Sequence, residues 1–139
     1  MFQTLLTEER IQRAKSVSNW KEAIRIASQP LIQDGSIKES YVDAMIEAAI
    51  QFGPYIVLTD GFAMPHAQGT DHVNRLAISF LILEKPVDLL GESVDIFMVL
   101  ATPDATAHID VLMTLANVLA EEEKLAVLRS GDLEAIYEL

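Results

Sequence analysis

With 139 residues, half of them hydrophobic and none of them cysteine, the chain can bury one core, and it excludes disulfides and a thiolate nucleophile. Ten basic against 21 acidic residues give a net charge of -11, which excludes the basic surface that binds nucleic acid or an anionic membrane. Because no apolar run has the length of a signal peptide or of the roughly 20 residues that span a bilayer, we expect one cytosolic domain over residues 1–139, without membrane insertion.

Two helices are predicted in the first half of the chain. The first begins at Ser18 or Asn19, either of which can cap it, and Pro30 leaves its end open. The second begins near Ser40 and ends at Gly53, which a proline follows. The apolar residues that share a face are Trp20, Ala23, Ile24, Ala27 and Leu31 in the first helix and Val42, Met45, Ile46, Ala49 and Ile50 in the second.

The pattern changes to β-type at YIVLTDGFAM. Two short runs of strand-forming residues flank Asp60 and Gly61, a pair suited to a tight turn, so we predict a hairpin whose second strand ends at Pro65. The segments 74–83 and 93–101 are apolar at nearly every position. Such runs are typical of strands that are covered on both faces.

The rest of the chain completes an α/β pattern. The polar segment between the two apolar runs is predicted to be a connection. A short strand at 87–89 within it is the alternative. A long helix is predicted from Ala105, and two shorter helices around Gly131. We therefore expect a single domain with a mixed central sheet flanked by helices. The buried stripe of the long helix is predicted to be Ile109, Leu112, Met113, Ala116 and Leu119.

Two histidines have settings that favour a function. His66 follows Pro65, whose ring stiffens the backbone there, so its imidazole is presented in a defined geometry at a strand end. His108 lies near the start of the long helix, just after a buried strand, and the carboxyl ends of strands line the usual ligand crevice of an open sheet. Each could equally be an ordinary loop or helix-start residue. His72, in a polar segment, is expected to be a solvated loop residue.

Three chemistries fit two histidines at neighbouring strand ends. His66, His108 and Asp104 could supply three metal ligands, although no local histidine spacing marks such a site. A hydrolase would need an ordered nucleophile such as the Gly-x-Ser-x-Gly elbow, and the sequence has no such motif. In phosphoryl transfer, a neutral imidazole nitrogen attacks the phosphoryl group and later releases it. Because the chain has no P-loop, the donor would be another phosphoprotein rather than ATP.

Two segments carry a family resemblance. GFAMPHAQG and, further along, ATPDATAHIDVLMTLANVL resemble the IIA component of the bacterial phosphoenolpyruvate-dependent sugar phosphotransferase system, in its fructose/mannitol superfamily. The resemblance covers nearly the whole chain and implies the mannitol/fructose-type IIA fold. In that family a G-x-A-x-P-H segment carries the phosphate-accepting histidine, and a D-x-x-x-H-x-x-x-L segment carries a second histidine beside it. The matching residues are Gly61, Ala63, Pro65 and His66 in the first segment and Asp104, His108 and Leu112 in the second.

The resemblance also implies a function. His66 would accept phosphate from phospho-HPr, His108 would donate a hydrogen bond to the phosphoryl group, and a cysteine of a IIB component would receive it for sugar uptake through a membrane IIC component. No cofactor or metal is implied. The segments QFGPYIVL and AMPH resemble those of the ascorbate-type branch. The alternative is a IIA-like regulatory domain whose phosphorylation state controls a partner protein, and a homodimer stays open.

One position departs from the mannitol-type pattern. Members of that branch resemble one another in having an arginine late in the helix before the hairpin, where this chain has Ala48 and Ala49. Arginine pairs with phosphate bidentately. Its absence favours another branch and leaves the phosphate charge to His108, to N–H groups at a helix start or to partner residues.

Overall fold

The computed structural model describes residues 2–68, 71–104, 106 and 109–139. In these ranges helices lie on both sides of a five-stranded sheet. The strands are β1 (Ile11–Ala14), β2 (Val57–Thr59), β3 (Gly61–Ala63), β4 (Ala77–Leu89) and β5 (Glu92–Ala101). The helices are α1 (Phe2–Leu5), α2 (Trp20–Gln33), α3 (Glu39–Phe52), α4 (Ile109–Leu119), α5 (Glu122–Ser130) and α6 (Leu133–Tyr137), with a 3-10 helix at Glu8–Arg10.

The sheet is mixed, with strand order β1-β4-β5-β3-β2. Strands β4 and β5 form a long antiparallel hairpin, β1 is parallel to β4, and β3 is parallel to β5. The short β2 closes the other edge, antiparallel to β3. Because β3 and β5 run in the same direction, both end at the same edge of the sheet.

Each face of the sheet has its own apolar core, because successive side chains of a strand point to opposite faces. Helices α2 and α3 cover the face that carries Ala63, Phe97 and Val99. Helices α1, α4, α5 and α6 cover the other face, which carries Phe62 and Met98. This α/β architecture, with strands buried on both faces, confirms the fold class predicted from the sequence.

Helix α2 shows how local sequence sets an element. Its cap is Asn19, whose side-chain oxygen accepts a hydrogen bond from the Glu22 backbone N–H at 2.9 Å, as predicted. The helix continues through Pro30 to Gln33. Proline has no N–H for the carbonyl four residues earlier, and that carbonyl, of Ile26, instead accepts a hydrogen bond from the Gln12 amide at 2.7 Å.

Two strands differ from the prediction. Strand β1 was not predicted, because the segment IQRA is short and its polar residues obscure the apolar pattern of a strand. Strand β4 continues through the segment predicted to be a connection, with a register shift between Ile82 and Val87, and reaches Leu89. The residues between these two include exposed charged side chains at Glu84 and Lys85. Their composition is that of a loop, although the backbone is extended and the Lys85 N–H donates to the Lys15 carbonyl at 2.8 Å.

The predicted buried stripe of α4 is wrong for Ile109, Met113 and Ala116, which are exposed, whereas Leu112 and Leu119 are half-buried and pack against the core. Val111, Leu115 and Val118 are the buried residues of this helix, whereas Ile109 is 50% exposed and Met113 is 65% exposed. The helix has apolar residues on more than one face, so periodicity alone does not choose the buried one. The predicted start at Ala105 lies outside the described residues. In the part of the chain that is described, no helix is long and apolar enough to cross a membrane.

Candidate active site

The β2–β3 hairpin leads the chain to His66. Gly61, which starts β3, has a φ of 81°, a left-handed conformation that glycine adopts without strain. The strand ends at Ala63, two residues before the predicted end at Pro65, but its pairing continues in single hydrogen bonds. The Met64 N–H donates to the Ile56 carbonyl at 2.8 Å, and the Pro65 carbonyl accepts from the Leu100 N–H at 3.0 Å.

The imidazole of His66 is held by its own backbone. Its Nδ1 lies 2.7 Å from the carbonyl oxygen of Met64. A carbonyl oxygen only accepts hydrogen bonds, so Nδ1 carries the proton and the lone pair of the neutral ring is on Nε2. The ring is half-buried. This arrangement presents one nucleophilic nitrogen in a fixed orientation.

Tyr55 packs beside His66. The two rings meet edge to face, with centroids 5.4 Å apart and planes at 73°, and the Tyr55 hydroxyl donates to the His66 carbonyl at 3.2 Å. Burial raises the pKa of Tyr55, so its hydroxyl stays a donor. Phe52, 67% exposed, also packs edge to face against Tyr55, with ring centroids 6.0 Å apart.

Tyr41 joins the residue after His66 to strand β5. Its hydroxyl donates to the Leu100 carbonyl at 2.7 Å and accepts from the Ala67 N–H at 3.2 Å. Burial of Tyr41 raises its pKa to about 12, so the hydroxyl remains protonated at physiological pH. Sequence reasoning missed both tyrosines, because nothing local distinguishes Tyr41 or Tyr55 from ordinary core and loop aromatics.

The second predicted site residue, His108, lies outside the described residues. The segment before it leaves β5 at the edge of the sheet where β3 ends. There the Asp104 carboxylate accepts hydrogen bonds from the Thr106 N–H at 2.9 Å and the Thr106 hydroxyl at 3.0 Å. Asp104 therefore holds Thr106 through two hydrogen bonds. Among the described residues, no group of three or more histidine and acidic side chains is arranged to hold a metal ion.

The other positions singled out from the sequence have plain structural settings. Ala49 is fully buried in α3 and Ala48 is half-buried. His72 lies in a loop, as predicted, but its ring is not simply solvated: it is half-buried, and Nδ1 lies 2.7 Å from the Ser40 hydroxyl.

Comparison with known proteins identifies the family. Residues 4–139 match the family described as phosphoenolpyruvate-dependent sugar phosphotransferase system, EIIA 2. The chain belongs to this family. IIA components are phosphotransferases that relay phosphoryl groups, so the family and the class of activity predicted from the sequence are confirmed.

Individual relatives of this IIA protein agree with that assignment. The ascorbate-specific EIIA component of Escherichia coli K12 is 30% identical over 131 residues, which are 91% of this chain and 85% of that protein. The mannitol-specific cryptic enzyme IIA CmtB of E. coli has a TM-score of 0.86 at 29% identity, over 99% of this chain and 95% of that one. A mannitol IIA of E. coli, solved in complex with phosphorylated IIB, shares the fold, with a TM-score of 0.81 at 23% identity over 96% and 98% of the two chains.

Proposed function

We propose that this IIA protein accepts a phosphoryl group on Nε2 of His66 from phospho-HPr and passes it to a cysteine of a IIB component. The observation that carries the proposal is the hydrogen bond from Nδ1 to the Met64 carbonyl at 2.7 Å. It leaves Nε2 as the nitrogen with a lone pair, on a half-buried ring that a partner protein can reach. Family membership supplies the class of reaction.

The transfer needs no proton movement at the ring. The Nε2 lone pair attacks phosphorus while the bond between phosphorus and the donor's side chain breaks. The ring then carries a positive charge, and the Met64 carbonyl stabilises it through the Nδ1–H that is already in place. When the IIB thiolate attacks phosphorus in turn, the bond to Nε2 breaks and His66 returns to its neutral form.

We assign His108 the role of a phosphate-stabilising donor. It directly precedes Ile109, the first residue of α4, and helix N-termini favour negative charge. The chain reaches α4 from the end of β5, whose Leu100 N–H is bonded to the Pro65 carbonyl beside His66. The strand that precedes α4 in the chain is thus bonded to the residue before His66, which supports this assignment.

The relatives support an assignment of the partners and of the transported substrate. The ascorbate-specific EIIA component of E. coli is 30% identical, and Ala48 and Ala49 stand where mannitol-type members have an arginine, so we assign the chain to the ascorbate-type branch. The mannitol IIA of the same fold solved with phosphorylated IIB supports a IIB component as the acceptor. The membrane IIC component would carry the sugar.

Transfer to IIB tests this function against a purely regulatory one. The protein is labelled with phosphoenolpyruvate, enzyme I and HPr and then mixed with an ascorbate-type IIB component. We expect the label to move to IIB and not to a IIB variant whose cysteines are replaced by serine. A label that stays on this protein until it hydrolyses would favour the regulatory alternative and contradict the relay.

A further inference from the structure

The backbone on both sides of His66 is tied to one residue of β5. The Pro65 carbonyl accepts a hydrogen bond from the Leu100 N–H at 3.0 Å. On the other side, the Ala67 N–H donates to the Tyr41 hydroxyl at 3.2 Å, and that hydroxyl donates to the Leu100 carbonyl at 2.7 Å. The residue before His66 is thus held directly, and the residue after it is held through a side chain of α3.

The Tyr41 hydroxyl uses both of its hydrogen-bonding roles, toward a buried carbonyl at Leu100 and toward the N–H of the half-buried Ala67. The Tyr41 residue is 0% exposed and Leu100 is 1% exposed. Loss of the hydroxyl would leave the buried Leu100 carbonyl without this partner, and an unpaired buried polar group is costly. The Tyr41 hydroxyl is therefore held at Leu100, and from there it bonds the N–H of residue 67.

The Tyr41 ring also lies beside the ring of a half-buried histidine. The His72 ring lies 6.5 Å from it, centroid to centroid. The Nδ1 of His72 lies 2.7 Å from the hydroxyl of Ser40, the residue before Tyr41 in α3. Because the Tyr41 side chain is fully buried, the hydroxyl that holds Ala67 has little freedom to move.

The position of Ala67 constrains the backbone of His66. The ring of His66 reaches back two residues to the Met64 carbonyl, so this hydrogen bond depends on the backbone angles of Pro65 and His66. Proline fixes its own φ, and the peptide that follows His66 is fixed by the bond from Ala67 to Tyr41. Small shifts of a reacting group lower the transfer rate strongly.

We propose that Tyr41 is a positioning residue for phosphoryl transfer. This proposal rests on the proposed function of His66. Its hydroxyl fixes the backbone after His66, so that Nδ1 stays bonded to the Met64 carbonyl and Nε2 faces the phosphoryl donor. Tyr41 does not touch the phosphoryl group, and it acts through the conformation of His66.

Tyr137 provides a matched control. Its hydroxyl also donates to a backbone carbonyl, that of Leu6, at 2.6 Å. Both residues belong to the α1 and α6 side of the sheet, whereas Tyr41 belongs to the α2 and α3 side. Tyr41→Phe and Tyr137→Phe therefore each remove one hydroxyl that donates to a backbone carbonyl. Only the hydroxyl of Tyr41 is also bonded to the chain beside His66.

The transfer test compares these two variants with the wild-type protein. Rapid-quench rates are measured against phospho-HPr concentration. For Tyr41→Phe we expect a loss of maximal rate of roughly tenfold, with the half-saturating concentration unchanged because docking surfaces are not altered. Tyr137→Phe should transfer like the wild type. Equal maximal rates for the two variants would overturn the proposal.

Two NMR measurements test positioning without phosphorylation. The ¹⁵N shifts of His66 should indicate the Nδ1–H form in the wild type and in Tyr137→Phe, and a mixture of the two tautomers in Tyr41→Phe. In the wild type, the Ala67 amide should exchange slowly with solvent. An unchanged tautomer in Tyr41→Phe, or rapid exchange at Ala67, would overturn the proposal. A wild type that is not phosphorylated on His66 would instead refute the proposed function.

Discussion

The Nδ1 atom of His66 lies 2.7 Å from the carbonyl oxygen of Met64, two residues earlier in the chain. This relationship fixes the tautomer of the ring, because the carbonyl can only accept. It also makes the orientation of the imidazole a property of the backbone at the end of β3. A nucleophile presented in this way can be replaced without disturbing either apolar core.

His66→Gln should separate activity from stability. The glutamine amide retains an N–H donor, and the residue is half-buried rather than part of a core. We expect the free energy of unfolding to change by no more than about 0.5 kcal/mol, while phosphorylation is abolished. Urea denaturation measures the first quantity. A loss of several kcal/mol would show that the imidazole has a structural role and would contradict the presented-nucleophile account.

His108→Ala should slow transfer while leaving the acceptor in place. If His108 donates a hydrogen bond to the phosphoryl oxygens, its removal should lower the transfer rate on the order of 10²-fold, as for other donors to a developing negative charge. His66 should still become labelled, only more slowly. Rapid-quench measurements with phospho-HPr and with IIB test this prediction. Wild-type rates in both directions would show that His108 takes no part in transfer.

Gly61→Ala should destabilise the hairpin that leads to His66. The residue has a φ of +81°, and an added Cβ would lie 2.5 Å from the Asp95 carboxylate and 2.6 Å from the Arg129 guanidinium. These two side chains form an ion pair at 2.8 Å, and Arg129 also donates to the Asp60 carbonyl at the hairpin turn. Substitution therefore strains the backbone and disturbs the ion pair.

Gly35→Ala is the control for that substitution. Gly35 has the same φ of +81°, but an added Cβ would meet nothing within 4 Å. We expect a cost of about 1–2 kcal/mol from the left-handed backbone alone at Gly35, and a larger cost at Gly61. Thermal or urea unfolding of both variants gives the difference. Equal losses of unfolding free energy in the two variants would show that the Asp95 and Arg129 side chains move aside without a loss of stability.

Asp34 should make stability depend on acid pH. Burial alone would raise the pKa of its carboxyl, but hydrogen bonds from Ser36 and Arg10 outweigh burial and lower the pKa below its ordinary value. A lowered folded-state pKa adds stability above the unfolded value of about 3.9, and this stability is lost as the pH falls through the folded value.

Asp34→Asn tests this dependence. The wild type should be more stable than the variant at neutral pH, and the difference should narrow as the pH falls below about 4. Asp43→Asn, at an exposed position of α3, serves as a control whose difference from wild type should be small throughout. A difference in unfolding free energy between wild type and Asp34→Asn that does not change with pH would contradict the lowered pKa of Asp34.

The parts of the fold that were predicted correctly depend on short-range chemistry. The Asn19 cap needs only a hydrogen bond to Glu22, three residues away. The turn at Asp60 needs only a glycine that accepts a positive φ. The histidine at the strand end followed from the proline before it. In each case a few neighbouring residues determine the local structure.

The parts that were missed depend on contacts between distant residues. The roles of Tyr41 and Tyr55 come from hydrogen bonds to Leu100 and His66, which no local pattern encodes. The buried face of α4 was predicted wrongly because packing on the sheet, rather than the apolar pattern of the helix, selects Val111 and its neighbours.

Labelling of His66 tests the central claim most directly. The wild type, His66→Ala and His72→Ala are incubated with phosphoenolpyruvate, enzyme I and HPr. His72→Ala is the matched control, since it removes a half-buried histidine whose ring is bonded to Ser40 rather than to the backbone of β3. We predict one acid-labile, alkali-stable phosphate on the wild type and on His72→Ala, and none on His66→Ala. Equal labelling of His66→Ala would contradict the account.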